Sequence, residues 1–111
     1  TPRSKHETWN KTYETAGVLS RAGLKVCITA DHDVTPLYYL PVYAALSVRD
    51  GMDELEGLKA VTINPAEVLG IDDRKGSLTA GKDADIVVWD QHPFAYQAQV
   101  EQVFLSGKAM C

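Results

Sequence analysis

An α/β segment followed by a small antiparallel β module is the fold class that this 111-residue sequence predicts. Three observations predict it. A short apolar, β-branched run, Leu24–Thr29, is flanked on both sides by helical patterns. Two capping signals, Asp53 with Glu56 and Asn64 with Glu67, announce helix starts in quick succession. After Gly70 the composition shifts to a turn-rich link and then to strand-like runs.

The first ten residues are polar and read as a loop. Thr12 to Ala22 reads as a short helix with Val18, Leu19 and Ala22 at helical spacing, and Gly23 is its stop signal. Leu24–Thr29 suits a strand buried on both faces, and Cys27 within it suits a small buried hydrophobe. Ala30 to Pro36 is a polar loop, and a helix runs from about Leu40 through Val48 to a stop at Gly51. Further helices are expected over 53–62 and 64–69, with Pro65 at the first helical position of the second and Gly70 closing it. Ile71 to Asp83 is a Gly-, Asp- and Lys-rich link. Ala84–Trp89 and Val100–Leu105 read as strands, Gln91–Phe94 as a turn, and Ser106-Gly107-Lys108 as a tight reversal into Ala109-Met110.

Neither half is a whole fold on this reading. The run at Leu24–Thr29 has no parallel neighbour in the chain, and the late strands leave backbone edges of the kind that proteins cover. The missing partners are expected from sequence upstream or from another copy of the chain. The absence of an initiator Met also reads as a start inside a longer polypeptide.

Composition narrows the class. Hydrophobic residues at 45% and charged residues at 23% are the proportions of a globular protein, which argues against disorder. No apolar run approaches the roughly 20 residues that a bilayer helix needs, so no membrane partner is expected. The net charge is -4 and the basic residues are scattered, which argues against a nucleic-acid partner. No secretory leader is visible at Thr1–Lys5, and the two cysteines, Cys27 and Cys111, read as free thiols of a cytoplasmic protein.

Chemistry is best sought at Thr29-Ala30-Asp31-His32-Asp33, just past the C-terminal end of the buried run, where βα architectures build their sites. A carboxylate there can bind a divalent cation or act as a general base. From spacing alone, Asp31 is also readable as a turn residue or helix cap, the commoner use of Asp in such a loop. His32 is either a supporting or substrate contact or an ordinary loop histidine. Lys5, His6 and Glu7 read as a solvated loop, with a place at the same site as the alternative. His92, in a turn of the β module, reads as structural. Gly81–Asp85 lacks the spacing of a phosphate loop and reads as turn-forming. Tyr38, Tyr39 and Tyr43 either line a pocket or, at helical spacing, pack.

Three stretches carry a resemblance. They are Arg3–Glu7 with Asn10–Thr12; Lys25–His32; and Ala60–Ala66 running on through Leu69-Gly70, Gly76–Leu78, Gly81–Val87 and Asp90. Together they resemble the last quarter of amidohydrolase-superfamily enzymes similar to imidazolonepropionases. The resemblance implies the C-terminal fragment of a (β/α)8 TIM-type barrel, contributing the last barrel strand and helices (residues 1–70). Residues 71–111 would be the closing strands of a composite β-sandwich built from both chain ends. In that family a metal centre combines a His-x-His pair on the first strand, later His or Lys/carboxylate ligands, and an Asp at the end of the eighth strand.

Asp31 matches that last Asp. The resemblance therefore implies that Asp31 touches a divalent metal, zinc as one or two ions, and accepts a proton from the water that attacks the substrate. Asp33 departs from the family, where Pro commonly follows Asp-His. With three histidines and no His-x-His pair, the remaining ligands must lie outside this chain. A full barrel of this kind takes about 250 residues. The implied function is hydrolysis of an amide, cyclic amide or peptide-like C–N bond in a small-molecule substrate, with the fragment inactive alone. The alternative is a non-catalytic half that assembles with another chain.

Overall fold

The structure, a computed structural model, describes residues 13–110. The expected N-terminal loop, the Arg3–Thr12 stretch with Lys5, His6 and Glu7, and Cys111 lie outside the described residues. Four helices come first: α1 (Thr15–Arg21), α2 (Leu40–Arg49), α3 (Glu54–Ala60) and α4 (Ile63–Leu69). A single 3-10 turn at Leu37–Tyr39 leads into α2. Three strands follow: β1 (Ile86–Trp89), β2 (Val100–Leu105) and β3 (Lys108–Ala109), an antiparallel sheet in the order β1-β2-β3.

Local backbone chemistry explains most boundaries. Gly23 (φ 87°) and Gly70 (φ 74°) take the left-handed conformation just past α1 and α4, where glycine avoids a Cβ penalty. Asp53 caps α3, its carboxylate accepting from the N–H groups of Leu55 (3.1 Å) and Glu56 (3.3 Å). The reciprocal half of that pair is not formed, because the Glu56 carboxylate accepts from Lys59 at 3.3 Å instead. The β2–β3 reversal uses Ser106 (φ 52°) and Gly107 (φ 79°), the two positive φ values of a two-residue hairpin turn whose twist matches the strands. β1 pairs with β2 in the register Ile86↔Phe104 and Val88↔Gln102, with an irregularity between Val88 and Trp89.

The segment Leu24–Thr29 departs from expectation. It is not a strand, because no neighbouring strand among the described residues offers it a ladder. It runs between helices with Val26 and Ala30 buried and Ile28 half-buried, while Leu24, Lys25, Cys27 and Thr29 are exposed. Burial thus covers one side rather than two, and Cys27 is an exposed free thiol rather than a buried one. Two hydrogen bonds tie the segment to α3 and α4. The Ile28 N–H donates to the Ala60 carbonyl at 3.0 Å, and the Asn64 side-chain amide donates to the Val26 carbonyl at 2.9 Å.

That second bond corrects the reading of Asn64. The residue before α4 is Thr62, Pro65 falls at the third helical position, and Asn64 is buried inside the first turn, spent on Val26. Pro65 still sits where an N–H has no intrahelical partner, so its missing donor is not felt. Glu67, expected to complete a cap with Asn64, pairs with Lys25.

The core is small: Val26, Met52 and Ala60, with Ala16, Ile28 and Val48 packed on it. Glycine makes close helix approach possible. A Cβ on Gly17 would lie 3.0 Å from the Met52 nitrogen, and one on Gly57 would lie 2.7 Å from Val48 Cγ2 and 3.3 Å from Phe94 Cε2. In α1 the inward residue is therefore Gly17, while Val18 and Leu19 are exposed.

The β module meets the helices through its 90–99 turn. Phe94 lies against Gly57, and His92 Nε2 is 2.6 Å from Glu54 Oε1 while His92 Nδ1 accepts from the Phe94 N–H at 3.1 Å. β1 begins at Ile86 rather than Ala84, because the Asp85 N–H turns back onto the Asp83 carbonyl at 3.0 Å, while the Asp85 carboxylate accepts from the Ser106 N–H at 2.9 Å.

Candidate functional site

Asp31 stands immediately after the buried Ala30, at the end of the extended segment. Its backbone is left-handed (φ 54°), a conformation that Asp tolerates better than most residues. Its main chain is fully engaged. The Asp31 N–H donates to Thr29 Oγ1 at 3.3 Å, and its carbonyl accepts from Val34 N–H at 2.7 Å and Thr35 N–H at 3.3 Å. The carboxylate itself has no hydrogen-bond or ion-pair partner among the described residues.

His32 points into its own loop. Nδ1 accepts from the Leu37 N–H at 3.2 Å, and Nε2 is 2.6 Å from Asp33 Oδ1. A second tie fastens the same loop to α2, with Tyr43 Oη 3.3 Å from Thr35 Oγ1.

A hollow of about 320 Å³ opens beside Asp31, lined by Tyr13, Ile28, Thr29, Val34, Thr35, Tyr43 and Ser47. Tyr43 therefore does line this hollow, while Tyr38, which borders a concavity over α2, and Tyr39 lie exposed with ring centroids 4.6 Å apart. Tyr13 and Ser47 carry no sequence signal, because their link to Asp31 is a fold contact; Thr35 belongs to the Asp31 loop itself, its N–H donating to the Asp31 carbonyl at 3.3 Å.

Three other concavities are larger; the largest, about 700 Å³, lies among Arg21, Lys25, Asn64 and Glu67, and the other two border the β module. One of about 590 Å³ lies over α2 between Val42, Leu46, Trp89 and Phe94, and its cation Arg49 is committed to Asp50 at 2.9 Å. The other, of about 420 Å³, borders the ion-paired link. There Lys75 lies 2.5 Å from Asp85 and 3.1 Å from Asp83, and Arg74 lies 2.9 Å from Asp83. Hydrogen bonding to Lys75 holds both carboxyls below the ordinary carboxylate value, and bonding to Asp85 and Asp83 pushes Lys75 up. These charges neutralise one another and fasten the link.

Among the described residues, no three His, Cys, Asp or Glu side chains come together as a cation site. A zinc site takes at least three protein ligands. The unengaged Asp31 carboxylate fits one corner of such a shell; the described residues do not supply the others.

Comparison with known proteins covers nearly the whole chain. The model of the Amidohydrolase family matches residues 10–110. The chain is 34% identical over 105 residues to the amidohydrolase tasK of Hapsidospora irregularis, covering 95% of this chain and 11% of that protein. It is 34% identical over 104 residues to an imidazolonepropionase of Thermoplasma acidophilum, covering 87% of this chain and 25% of that protein. The crystal structure of an amidohydrolase from Thermotoga maritima MSB8 superposes with a TM-score of 0.94 at 42% identity, over 100% of this chain and 29% of that one. The chain thus spans about a quarter or less of the curated relatives it matches. On the family match and these identities, the chain belongs to the amidohydrolase family.

Proposed function

We propose that this chain is the C-terminal portion of a metal-dependent hydrolase that opens a C–N bond in an amide, cyclic amide or peptide-like small molecule. Asp31 is the residue that carries the chemistry. The supporting observation is its carboxylate, left without a partner among the described residues at the end of a segment whose 25, 27 and 29 side is exposed.

In a (β/α)8 barrel, alternate side chains of a strand face the helices and the barrel interior. Val26, Ile28 and Ala30 are turned to the helices here. Residues of the opposite parity, ending in Asp31, belong to the interior and its mouth. Residues 1–70 then complete the barrel, and residues 71–111 complete a small β-sandwich. Exposed apolar side chains such as Leu24, Val34 and Leu78 suit burial against the remainder of a longer polypeptide.

Asp31 would be one contact of a divalent metal, zinc as one or two ions, whose other ligands lie outside this chain. When bound, such an ion lowers the pKa of water and polarises the scissile group. The Asp31 carboxylate accepts the proton of the attacking water and returns it to the departing nitrogen. The chain alone, with one ligand, is inactive. The exposed, unpaired Cys27 suits a reducing cytoplasm.

The test is Asp31→Asn in the full-length protein, assayed on a panel of cyclic amides and N-acyl amino acids. Turnover falls about 100- to 10,000-fold, the scale of general acid–base catalysis, with an unchanged circular dichroism spectrum. Near-normal turnover would remove Asp31 from this role.

A further inference from the structure

We infer that His32 is a positioning residue: it clasps the loop that presents the Asp31 carboxylate and does not contact substrate. The inference rests on the reading of Asp31 just given.

The partners of His32 assign its tautomer. Nδ1 accepts from the Leu37 N–H at 3.2 Å, so it carries no proton. The proton sits on Nε2, which lies 2.6 Å from Asp33 Oδ1. Both ring nitrogens are therefore spent within the segment 31–37, and neither is left to bind a ligand.

The two contacts have different reach. The Asp33 contact is local. The Leu37 bond spans five positions and ends on the first residue of the 3-10 turn that leads into α2. It satisfies an N–H that the turn itself leaves free and pins the far end of the loop to the ring next to Asp31. The Asp31 carbonyl already closes the near side on Val34 and Thr35, and Tyr43 holds Thr35 from α2. With the clasp in place, the backbone on both sides of Asp31 is fixed and its carboxylate is the one polar group of that residue left over. Outer hydrogen bonds of this kind set the geometry of a cation-binding group, and losing one costs about 10- to 100-fold in affinity.

The experiment uses the full-length protein with its divalent metal removed, as wild type, His32→Ala, His32→Asn and Asp31→Asn. Two quantities are read: Zn²⁺ affinity by titration calorimetry, and amide exchange of the 31–37 segment. Asn places its Oδ1 where Nδ1 stood, so it restores the acceptor for Leu37 without an imidazole. His32→Ala is expected to weaken Zn²⁺ binding about 10- to 100-fold and to speed exchange at Leu37 by about tenfold or more, the cost of about 1.4 kcal/mol of lost protection. His32→Asn is expected to recover most of both. Should His32→Ala fail to fold, His32→Gln, which offers Leu37 no acceptor at the right distance, takes its place.

Unchanged exchange in the variant lacking the acceptor would overturn the clasp. Faster exchange with unchanged Zn²⁺ affinity, or an Asn variant as impaired as the Ala one, would overturn the positioning role alone. An Asp31→Asn protein that binds Zn²⁺ as wild type does would instead sink the reading of Asp31, and the positioning role with it.

Discussion

The side-chain amide of Asn64 donates to the carbonyl of Val26 at 2.9 Å, joining residues 38 positions apart in a buried contact. It ties the first turn of α4 to the extended segment that ends at Asp31. That segment has no ladder among the described residues, and there the Val26 carbonyl takes Asn64 as its partner. Asn64→Ala should therefore cost about 1–3 kcal/mol, the penalty of an orphaned buried acceptor. Asn64→Asp should cost more, since it sets a carboxylate against a carbonyl. Urea unfolding of the full-length protein checks both; an alanine variant as stable as wild type would mean that another donor reaches Val26.

Three glycines should separate steric space from backbone conformation. Gly70 has nothing within 4 Å of where a Cβ would lie, so Gly70→Ala should cost only the left-handed strain, about 1–2 kcal/mol. Gly57 is helical, and its Cβ would meet Val48 and Phe94. Overpacking costs about 1–3 kcal/mol, of which better helix propensity returns about 1, leaving a net loss of up to about 2 kcal/mol. Gly76 combines a φ of 95° with a Cβ that would lie 2.8 Å from the Ala66 Cβ, so Gly76→Ala should be the worst of the three. Denaturation midpoints of the three variants give the order directly.

The Lys75–Asp83–Asp85 cluster should make the fastening of the β module depend on pH. Asp83 and Asp85 are held below the ordinary carboxylate value, chiefly by hydrogen bonding to Lys75. Their contribution is complete above that ordinary value, near 3.8, and is lost as pH falls through their lower folded-state values. Lys75 is raised, so its share is complete below 10.5 and is lost as pH rises through the raised value. The Ser106 amide, bonded to Asp85, is the reporter. Its protection from exchange should fall at acid pH and, in Lys75→Met, at neutral pH as well. Salt should shrink the effect, because these groups are open to solvent.

Metal removal should separate a catalytic ion from a structural one. Chelation of the full-length protein is expected to abolish C–N hydrolysis by orders of magnitude while leaving the spectrum of the helices in place, and added Zn²⁺ should restore turnover. Asp31→Asn should not recover under the same treatment. Full activity after verified metal loss would rule out the proposed chemistry.

Much of the local structure was legible in the residues. Asp53 does cap α3, Gly23 and Gly70 do end their helices, and Ser106-Gly107 does form the reversal. Asp31 and His32 were marked by their place after an apolar run. The hollow beside Asp31 was not, because Tyr13, Tyr43 and Ser47 reach it from separate stretches of chain.

The amino-acid sequence by itself determined where helices start and stop and how the hairpin turns, since these follow from φ preferences and side-chain-to-backbone bonds spanning a few residues. Tertiary structure alone decided that Asn64 serves Val26 rather than a helix cap, that Cys27 faces outward, and that His32 spends both nitrogens inside its loop. The physical reason is range. A cap or a turn is settled by neighbours in sequence, whereas the fate of a polar or apolar side chain depends on which distant backbone the fold brings beside it.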